Sequence, residues 1–477
     1  MNVWRRLFLA TVCGVAVASV YSAQTVLPSM GDSLGVSARH AGWIVSTGQF
    51  GYLVGLVLLV PLGDVVADRR RLIAVHLTVT AAGLFVTAAA SAAWAAFAGL
   101  ALAGTFAVVV QTTVAYAATA APPAERGRTI GVVTSGVVVG ILGARFVTGV
   151  LAQAWGWRSM YAVLGALALA LAALVLRALP PESSSRTPVG YRQALVSLSG
   201  LFGQRLFLTR GLIAFFLFAS FGTLWSGLSL ALADAPWHLS ESQTGLFGIA
   251  GLAGALGAAR AGRWADAGPA LPISGLALAL LVVSWAATAQ LSWSLWLLAL
   301  GIVVLDFAVQ VVHVSSQHVL TTAHPERTSS VIGGYMVFYS LGSAFGAATT
   351  TSVFSSHGWG ASSLLGAAFA TCALIVWATG ARRHSATPAG RGRASAPHRS
   401  AAQQRERERS RTRSPAHRVH RRTSATARGC SLSRSRSRRA MTGPAVIPCS
   451  TTEASTVNVT TAHNSRCGTA RPWCPKA

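Results

Sequence analysis

Twelve apolar runs, separated by short polar breaks, occupy the first 380 residues. They lie near residues 7–29, 41–62, 72–92, 94–121, 128–150, 157–179, 210–233, 242–264, 270–290, 293–320, 328–353 and 359–380. A bilayer core about 30 Å thick is crossed by roughly 20 apolar residues in a helix, so each run predicts one membrane-spanning helix. The first run has Arg5 and Arg6 ahead of it and Ala16-Val17-Ala18 inside it, features shared with a cleaved signal peptide. Removing it, however, leaves the first half one span short of the second.

The polar breaks repeat. Asp64 and Asp266 are 202 residues apart, Glu125-Arg126 and Glu326-Arg327 are 201 apart, and Gly156-Trp157 and Gly358-Trp359 are 202 apart. Self-similarity at a fixed offset marks two copies of one module. Two parallel six-helix halves facing each other across a bilayer suit a machine that rocks around a central site, which predicts transport. The expected organisation is a first bundle over 1–180, a connection over 181–209, a second bundle over 210–380 and a tail over 381–477. The fold class is then an all-α membrane protein of twelve transmembrane helices in two pseudo-symmetric bundles.

Loop charge sets the expected orientation. Arg5, Arg6, Arg69, Arg70, Arg71, Arg126, Arg128, Arg177, Arg186, Arg192, Arg205, Arg260, Arg263, Arg327, Arg382 and Arg383 fall on one side if the spans alternate, and Arg39 and Arg158 on the other. The positive-inside rule puts both termini in the cytoplasm of a bacterial cell, with the chain in the inner membrane.

Composition sharpens the picture at the C-terminus. Hydrophobic residues make up 52% of the chain and charged residues 11%, too few charges to coat a soluble particle of this length. Of the 39 basic residues, 21 follow Gly380, against Glu406, Glu408 and Glu453, so the tail carries +18 of the net +26. Arginine outnumbers lysine 38 to 1, as in a GC-rich genome. The tail is Arg, Ser, Ala, Pro and Gly, including Ser433-Arg434-Ser435-Arg436-Ser437-Arg438-Arg439, and cannot bury enough surface to fold alone. Disorder without specific function, contact with anionic lipid, RNA binding and a shifted reading frame all remain open for it. The reading favours no specific nucleic-acid partner. Cys13 and Cys372 sit in apolar runs and the four tail cysteines lack metal-ligand spacing, so no metal or cofactor is expected.

Gly63-Asp64-Val65-Val66-Ala67-Asp68-Arg69-Arg70-Arg71 follows the second span, and Gly262-Arg263-Trp264-Ala265-Asp266-Ala267-Gly268 follows the eighth. The pair resembles the acid-then-basic loop signature of the major facilitator superfamily, Gly-x-x-x-Asp-Arg-x-Gly-Arg-Arg. Neither copy is complete: Val60 stands at the leading glycine of the first, and the second keeps Gly262 and Asp266 without the basic cluster. The resemblance implies a conformational latch made of Asp64, Asp68, Arg69, Arg70, Arg71, Gly262 and Asp266. The arginines also read as plain topology anchors.

Along the fifth span, Gly131, Gly140 and Gly149 occupy three glycine positions of the family's antiporter signature, while Ala144, Arg145 and Thr148 replace others. The resemblance implies helix-packing glycines and antiport; ordinary small-residue packing is the other reading. In the fourth span, Leu100 stands where the family's proton-relay arginine belongs, four residues before Gly104. With Tyr21, Gln24 and Pro28 in the first span and Gln49 and Gly51-Tyr52 in the second, residues 1–380 look like the twelve-span drug:proton antiporter branch.

Two formal charges lie well inside predicted spans, Arg145 and Asp306. An ionisable group at that depth costs several kcal/mol unless it is paired or lines water, so each is a functional candidate. Asp306, Gln310, His313 and Gln317 follow at i, i+4, i+7 and i+11 on one face of the tenth span. Such a stripe must face the bundle or a wet cavity. Asp306 is the candidate proton carrier and His313 the relay; a static hydrogen-bond cluster is the alternative. Arg145 reads as a pathway residue or as a side chain snorkelling to the headgroups.

The resemblance implies that the first, fourth, seventh and tenth spans line a central cavity. Tyr21 and Gln24, then Thr105, Gln111, Thr112 and Tyr116, then Trp225, Ser226 and Ser229 supply polar and aromatic surface for an amphipathic or weakly cationic cargo. No nucleophile–base set or Walker loop appears, which argues against an enzyme or an ATP-driven pump. The expectation is a monomeric secondary transporter that exports a small organic molecule in exchange for protons. A symporter or facilitator for sugars or metabolites, and a scaffold acting through the tail, are the alternatives.

Overall fold

In hydrocarbon every backbone N–H and C=O must find a partner within its own segment, so uninterrupted apolar runs fold as helices. The computed structural model describes residues 1–181, 191–192, 196, 200–265, 270–324 and 328–386, without the side chains of 64, 123, 259–265, 270–272, 328–329 and 381–386. In chain order the helices are α1 (Val3–Gln24), α2 (Ala38–Leu58), α3 (Arg69–Ala89), α4 (Ala93–Ala120), α5 (Arg126–Trp155), α6 (Trp157–Ala178) and α7 (Arg205–Ala233). There follow α8 (Glu241–Ala265), α9 (Ile273–Ser292) and α10 (Leu295–Ala323). The last apolar stretch, Ser330–Gly380, is 51 residues long, too long for one crossing. It bends back at Gly358, whose φ is 72°, and so forms α11 (330–357) and α12 (359–380).

The twelve helices match the twelve apolar runs, and the repeat seen in the sequence is also a repeat of backbone geometry. Gly156 ends α5 with φ 77° and Gly358 ends α11 with φ 72°. In each case the next residue is a buried tryptophan whose indole N–H ties the turn down. Trp157 donates to Ser33 Oγ at 2.7 Å and Trp359 to the Thr288 carbonyl at 2.8 Å.

Three helices carry irregularities that hydropathy does not reveal. Helix α1 loosens into a single 3-10 turn at Ser22–Gln24, and a short helix over Leu27–Leu34 starts around Pro28, where proline's missing N–H costs nothing. Helix α4 is interrupted between Phe106 and Val109. Helix α5 widens into a π turn at Val139–Gly143, directly ahead of Arg145. Insertions of this kind are frequent at functional sites because they re-aim the side chains beyond them.

Helices α1–α6 pack into one bundle and α7–α12 into the other; the seams between bundles run along α2 with α11 and α5 with α8. On the first seam, the Gly42 amide donates to Thr351 Oγ1 at 3.1 Å, Ser46 Oγ donates to the Ala344 carbonyl at 2.7 Å and Ser340 Oγ donates to the Gln49 carbonyl at 2.6 Å. On the second, Ser242 bonds Gln153, and Ser29 reaches Glu241 from beyond α1. All of these contacts lie in the half of the molecule away from the N-terminus. Along α5, residues 139–155 pack on α8 of the second bundle, whereas Arg126–Val138 packs on α1 and α4 of its own. The bundles therefore close against each other at the far end and splay apart at the end that carries Met1.

Exposed tryptophans mark the ends of the apolar band. Trp43, Trp94, Trp155, Trp293 and Trp296 ring the far end and Trp4 stands at the near end, as expected for side chains that prefer the headgroup layer. At the near end Arg6 and the N-terminal ammonium both bind Glu125, joining the start of α1 to the start of α5. The hydrogen bond and charge of the ammonium, then the charge of Arg6, hold the Glu125 carboxyl below its ordinary value.

A side chain at either positive-φ glycine forces a backbone conformation that is essentially glycine's alone. Gly156→Ala and Gly358→Ala should each cost about 1–3 kcal/mol, read as lower melting temperatures of the detergent-solubilised protein. Gly360→Ala, beside the second turn in open space, should leave the melting temperature unchanged.

Candidate functional site: a charged layer between the bundles

The polar stripe of α10 divides into two levels. His313 and Gln317 are half-buried and linked: Gln317 Nε2 lies 3.1 Å from His313 Nε2, and His313 Nδ1 lies 3.1 Å from the Tyr335 hydroxyl of α11. Phe218 of α7 packs edge-on against the imidazole, with ring centroids 5.2 Å apart. Gln310, one turn further in, is also half-buried. In the first bundle the equivalent of His313, at the repeat offset of 202, is Gln111, which donates to the Tyr52 hydroxyl at 2.7 Å. Both positions present an amide or imidazole from the same point of α4 and α10.

Asp306 sits at the second level and is only 1% exposed. Gly251 of α8 makes room for it: a Cβ there would fall 2.4 Å from Asp306 Oδ2 and 2.8 Å from Cζ2 of Trp225. That oxygen has no hydrogen-bond partner, and neither has the Trp225 indole N–H. The two face each other without closing a strict hydrogen bond.

The answering charge comes from the opposite bundle. Arg145, on the turn beyond the π widening of α5, is 2% exposed. Nη1 donates to the Ile141 carbonyl at 2.8 Å and Nη2 donates to Gln24 Oε1 at 2.6 Å. Its Cζ stands 3.8 Å from the centre of the Trp225 ring and 5.6 Å from that of Phe221. A desolvated cation–π contact of this kind contributes about 2 kcal/mol. Arg145 and Asp306 act on each other electrostatically without a direct ion pair. A guanidinium this deep is not snorkelling to the headgroups, the alternative open from sequence.

Gln24 continues the layer by donating to Ser226 at 3.4 Å. These two residues are 202 apart, so equivalent positions of α1 and α7 meet at the interface between the bundles. Beneath them the Tyr21 and Tyr339 hydroxyls bond to each other, with Phe218 against Tyr339 at a centroid distance of 3.9 Å. Tyr21, Tyr339, Phe218 and Phe221 thus form an aromatic layer between the His313 level and the Arg145 level.

Tyr335 and Tyr339 were missed from sequence. Their spacing of i, i+4 on the eleventh span was the available signal, but that span was not counted among those lining the cavity. Tyr116, by contrast, turns away and donates to the Pro180 carbonyl at 3.0 Å.

The loop signature organises one end of the first bundle. Asp68 caps α3 by accepting from the Arg70 amide at 3.1 Å and meets the Arg70 and Arg71 side chains at 3.4 Å. Arg70 also donates to the carbonyls of Leu176 and Leu179, at 3.3 and 3.1 Å, at the C-terminus of α6, where backbone acceptors are free. Arg69 donates to the Gly63 carbonyl at 2.7 Å. The Asp64 side chain, the surroundings of Gly262 and all of Asp266 lie outside the described residues.

The three signature glycines part company. Gly149 presses on α8, where a Cβ would fall 2.2 Å from the Glu241 carbonyl, and Gly140 presses on α1, 2.3 Å from the Gly14 carbonyl. A Cβ at Gly131 would meet no neighbouring helix within 4 Å. It lies where the bundles splay, so its expected role as a packing glycine is not seen in this conformation.

Two six-helix bundles around a buried polar layer, open at one end and sealed at the other, define a membrane transporter rather than an enzyme. Comparison with known proteins agrees. The sequence profile of the Major Facilitator Superfamily matches residues 7–304 and 211–415, and the chain belongs to that family. It is 40% identical over 379 residues to the "Uncharacterized transporter YgaY" of Escherichia coli O157:H7, covering 79% of this chain and 96% of that one. It is 26% identical over 273 residues to the "Inner membrane transport protein YnfM" of Escherichia coli (strain K12), covering 55% and 63%. Among solved structures, a bacterial homolog of the human lysosomal transporter Spinster superposes with a TM-score of 0.65 at 14% identity, over 80% of this chain and 98% of that one.

Gly149→Val should wedge α5 from α8 and open the far end. With Ser46→Cys as reporter, buried at 0% exposure in the α2–α11 seam, thiol labelling from the far side should rise several-fold over the Gly149 parent. Equal labelling would show that the seam tolerates the added volume.

Proposed function

We propose that this transporter exports a small organic, drug-like molecule in exchange for protons, by alternating access between two states of its bundles. One observation carries the reading: a buried acid and a buried base, contributed by opposite bundles, meet in the layer that must part when the far end opens. Moving apart leaves each charge without the other, which is costly in a medium of low dielectric. Protonating Asp306 removes that cost, so proton occupancy and bundle position become linked. An exporter fits because the proton on Asp306 leaves through the open end as a cargo enters there, so that one is exchanged for the other.

In this reading Asp306 carries the proton and His313, with Gln310 and Gln317, conducts it toward the open end. Tyr21, Gln24, Gln111 and Arg145 complete the proton and substrate pathway. Asp64, Asp68, Arg69, Arg70, Arg71, Gly262 and Asp266 act as a latch between states, and Gly140, Gly149 and Gly131 form the sliding face of α5. The chain works as a monomer in the bacterial inner membrane with both termini in the cytoplasm, so the open end faces inward. Its working units are 1–180 and 210–380, joined by 181–209.

Asp306→Asn should reduce pH-gradient-driven dye or antibiotic movement in reconstituted vesicles to the level of protein-free vesicles, with folding unchanged by melting temperature. Undiminished gradient-driven movement would overturn the assignment of Asp306.

A further inference from the structure

Trp225 lies against both buried charges. It carries the Arg145 guanidinium on its ring face, 3.8 Å from the centre. Its edge crowds Gly251 together with Asp306 Oδ2, and its unpartnered N–H faces that same unpartnered oxygen. A buried arginine and a buried aspartate this close attract strongly enough to form a direct bidentate pair, the most stable arrangement open to them. They do not form one. The cation is held on the ring face and by Gln24 and Ile141, and Asp306 Oδ2 closes no strict hydrogen bond.

We infer that Trp225 is a positioning residue that keeps Arg145 and Asp306 apart, so that the acid can exchange its proton instead of being locked into a permanent ion pair. The inference rests on the proton-coupled reading above and goes beyond it by naming what prevents the pair from closing. The groups that bear on Asp306 are few. From the opposite bundle there are Arg145 and Tyr21, and from α11 of its own bundle Tyr339, both tyrosines acting on Arg145. Helix α8 presents Gly251 and Gly254, α9 presents Ser284 and Thr288 to the start of α10, α7 presents Trp225, and His313 stands two turns away on the same helix. Removing the indole thus leaves one strong change available, the collapse of Arg145 onto the carboxylate.

The test uses the full chain in vesicles of Escherichia coli lipid, with a fluorescent dye shown to move in response to an imposed pH gradient. Trp225→Leu removes ring and N–H; Trp225→Phe keeps a ring face for Arg145 and removes only the N–H. For Trp225→Leu the expected result is a tenfold or greater loss of gradient-driven flux, with its pH midpoint displaced to lower pH because a directly paired carboxylate resists protonation. Dye-for-dye exchange without a gradient should persist.

For Trp225→Phe the midpoint should move the other way, since the ring spacer remains and the charged acid has lost a facing donor. Two variants with opposite displacements are not produced by loss of packing. Parallel loss of both transport modes with an unmoved midpoint would overturn the inference, and if Trp225→Leu fails to fold, an unmoved midpoint in Trp225→Phe does so alone. Failure of the underlying reading looks different: wild-type flux would then ignore the pH gradient and Asp306→Asn would transport normally.

Discussion

A charge held inside a hydrocarbon-bounded interior has to be answered by something other than water, and this chain answers its two by facing them across a movable boundary. Arg145 belongs to the first bundle and Asp306 to the second. Among the described residues neither forms an ion pair within its own bundle. The cation is stabilised by an aromatic face, a glutamine and a carbonyl; the anion has space made for it by Gly251. The bundles therefore have an electrostatic reason to remain closed at this level, and the reason weakens when the acid is neutral.

The rest of the interface is arranged around that layer. Seam contacts on the far side are backbone carbonyls, hydroxyls and small residues, which make close approach possible without large side chains to disengage. On the open side the walls are amide, imidazole and phenol groups linked in short chains, Gln111 to Tyr52 and Gln317 to His313 to Tyr335. Between the two runs the Tyr21–Tyr339 bridge with its phenylalanines. The internal repeat shows where symmetry was kept and where it was abandoned. The turn at Gly156 is matched by the turn at Gly358, and Gln24 meets its own equivalent Ser226. Asp306, however, occupies the place where Gly104 packs on Gly48 in the first bundle. One half keeps a tight glycine contact and the other spends the same space on a charge.

Part of the site was legible in one dimension. Asp306, Gln310, His313 and Gln317 share a face because an α-helix returns to the same side every three or four residues, and a polar face inside an apolar run has only the protein interior to turn to. Arg145 was visible as a charge inside a span, but its destination was not. Depth along α5, the π turn that rotates it and the aromatic face that receives it are properties of the assembled bundles. Tyr339 and Trp225 carried no signal that distinguishes a spacer or a bridge from ordinary aromatic packing.

The order, number and approximate limits of the membrane crossings follow from the chain alone, as does the duplication. Lipid imposes local rules, since length, hydropathy and backbone satisfaction are settled within about 20 consecutive residues. Which end is sealed, which glycines touch, and the meeting of residues 121, 202 and 318 positions apart in Arg145–Gln24, Gln24–Ser226 and Tyr21–Tyr339 were decided only in three dimensions. Those contacts depend on the relative placement of two bundles, and hydropathy carries no information about partners drawn from another part of the chain.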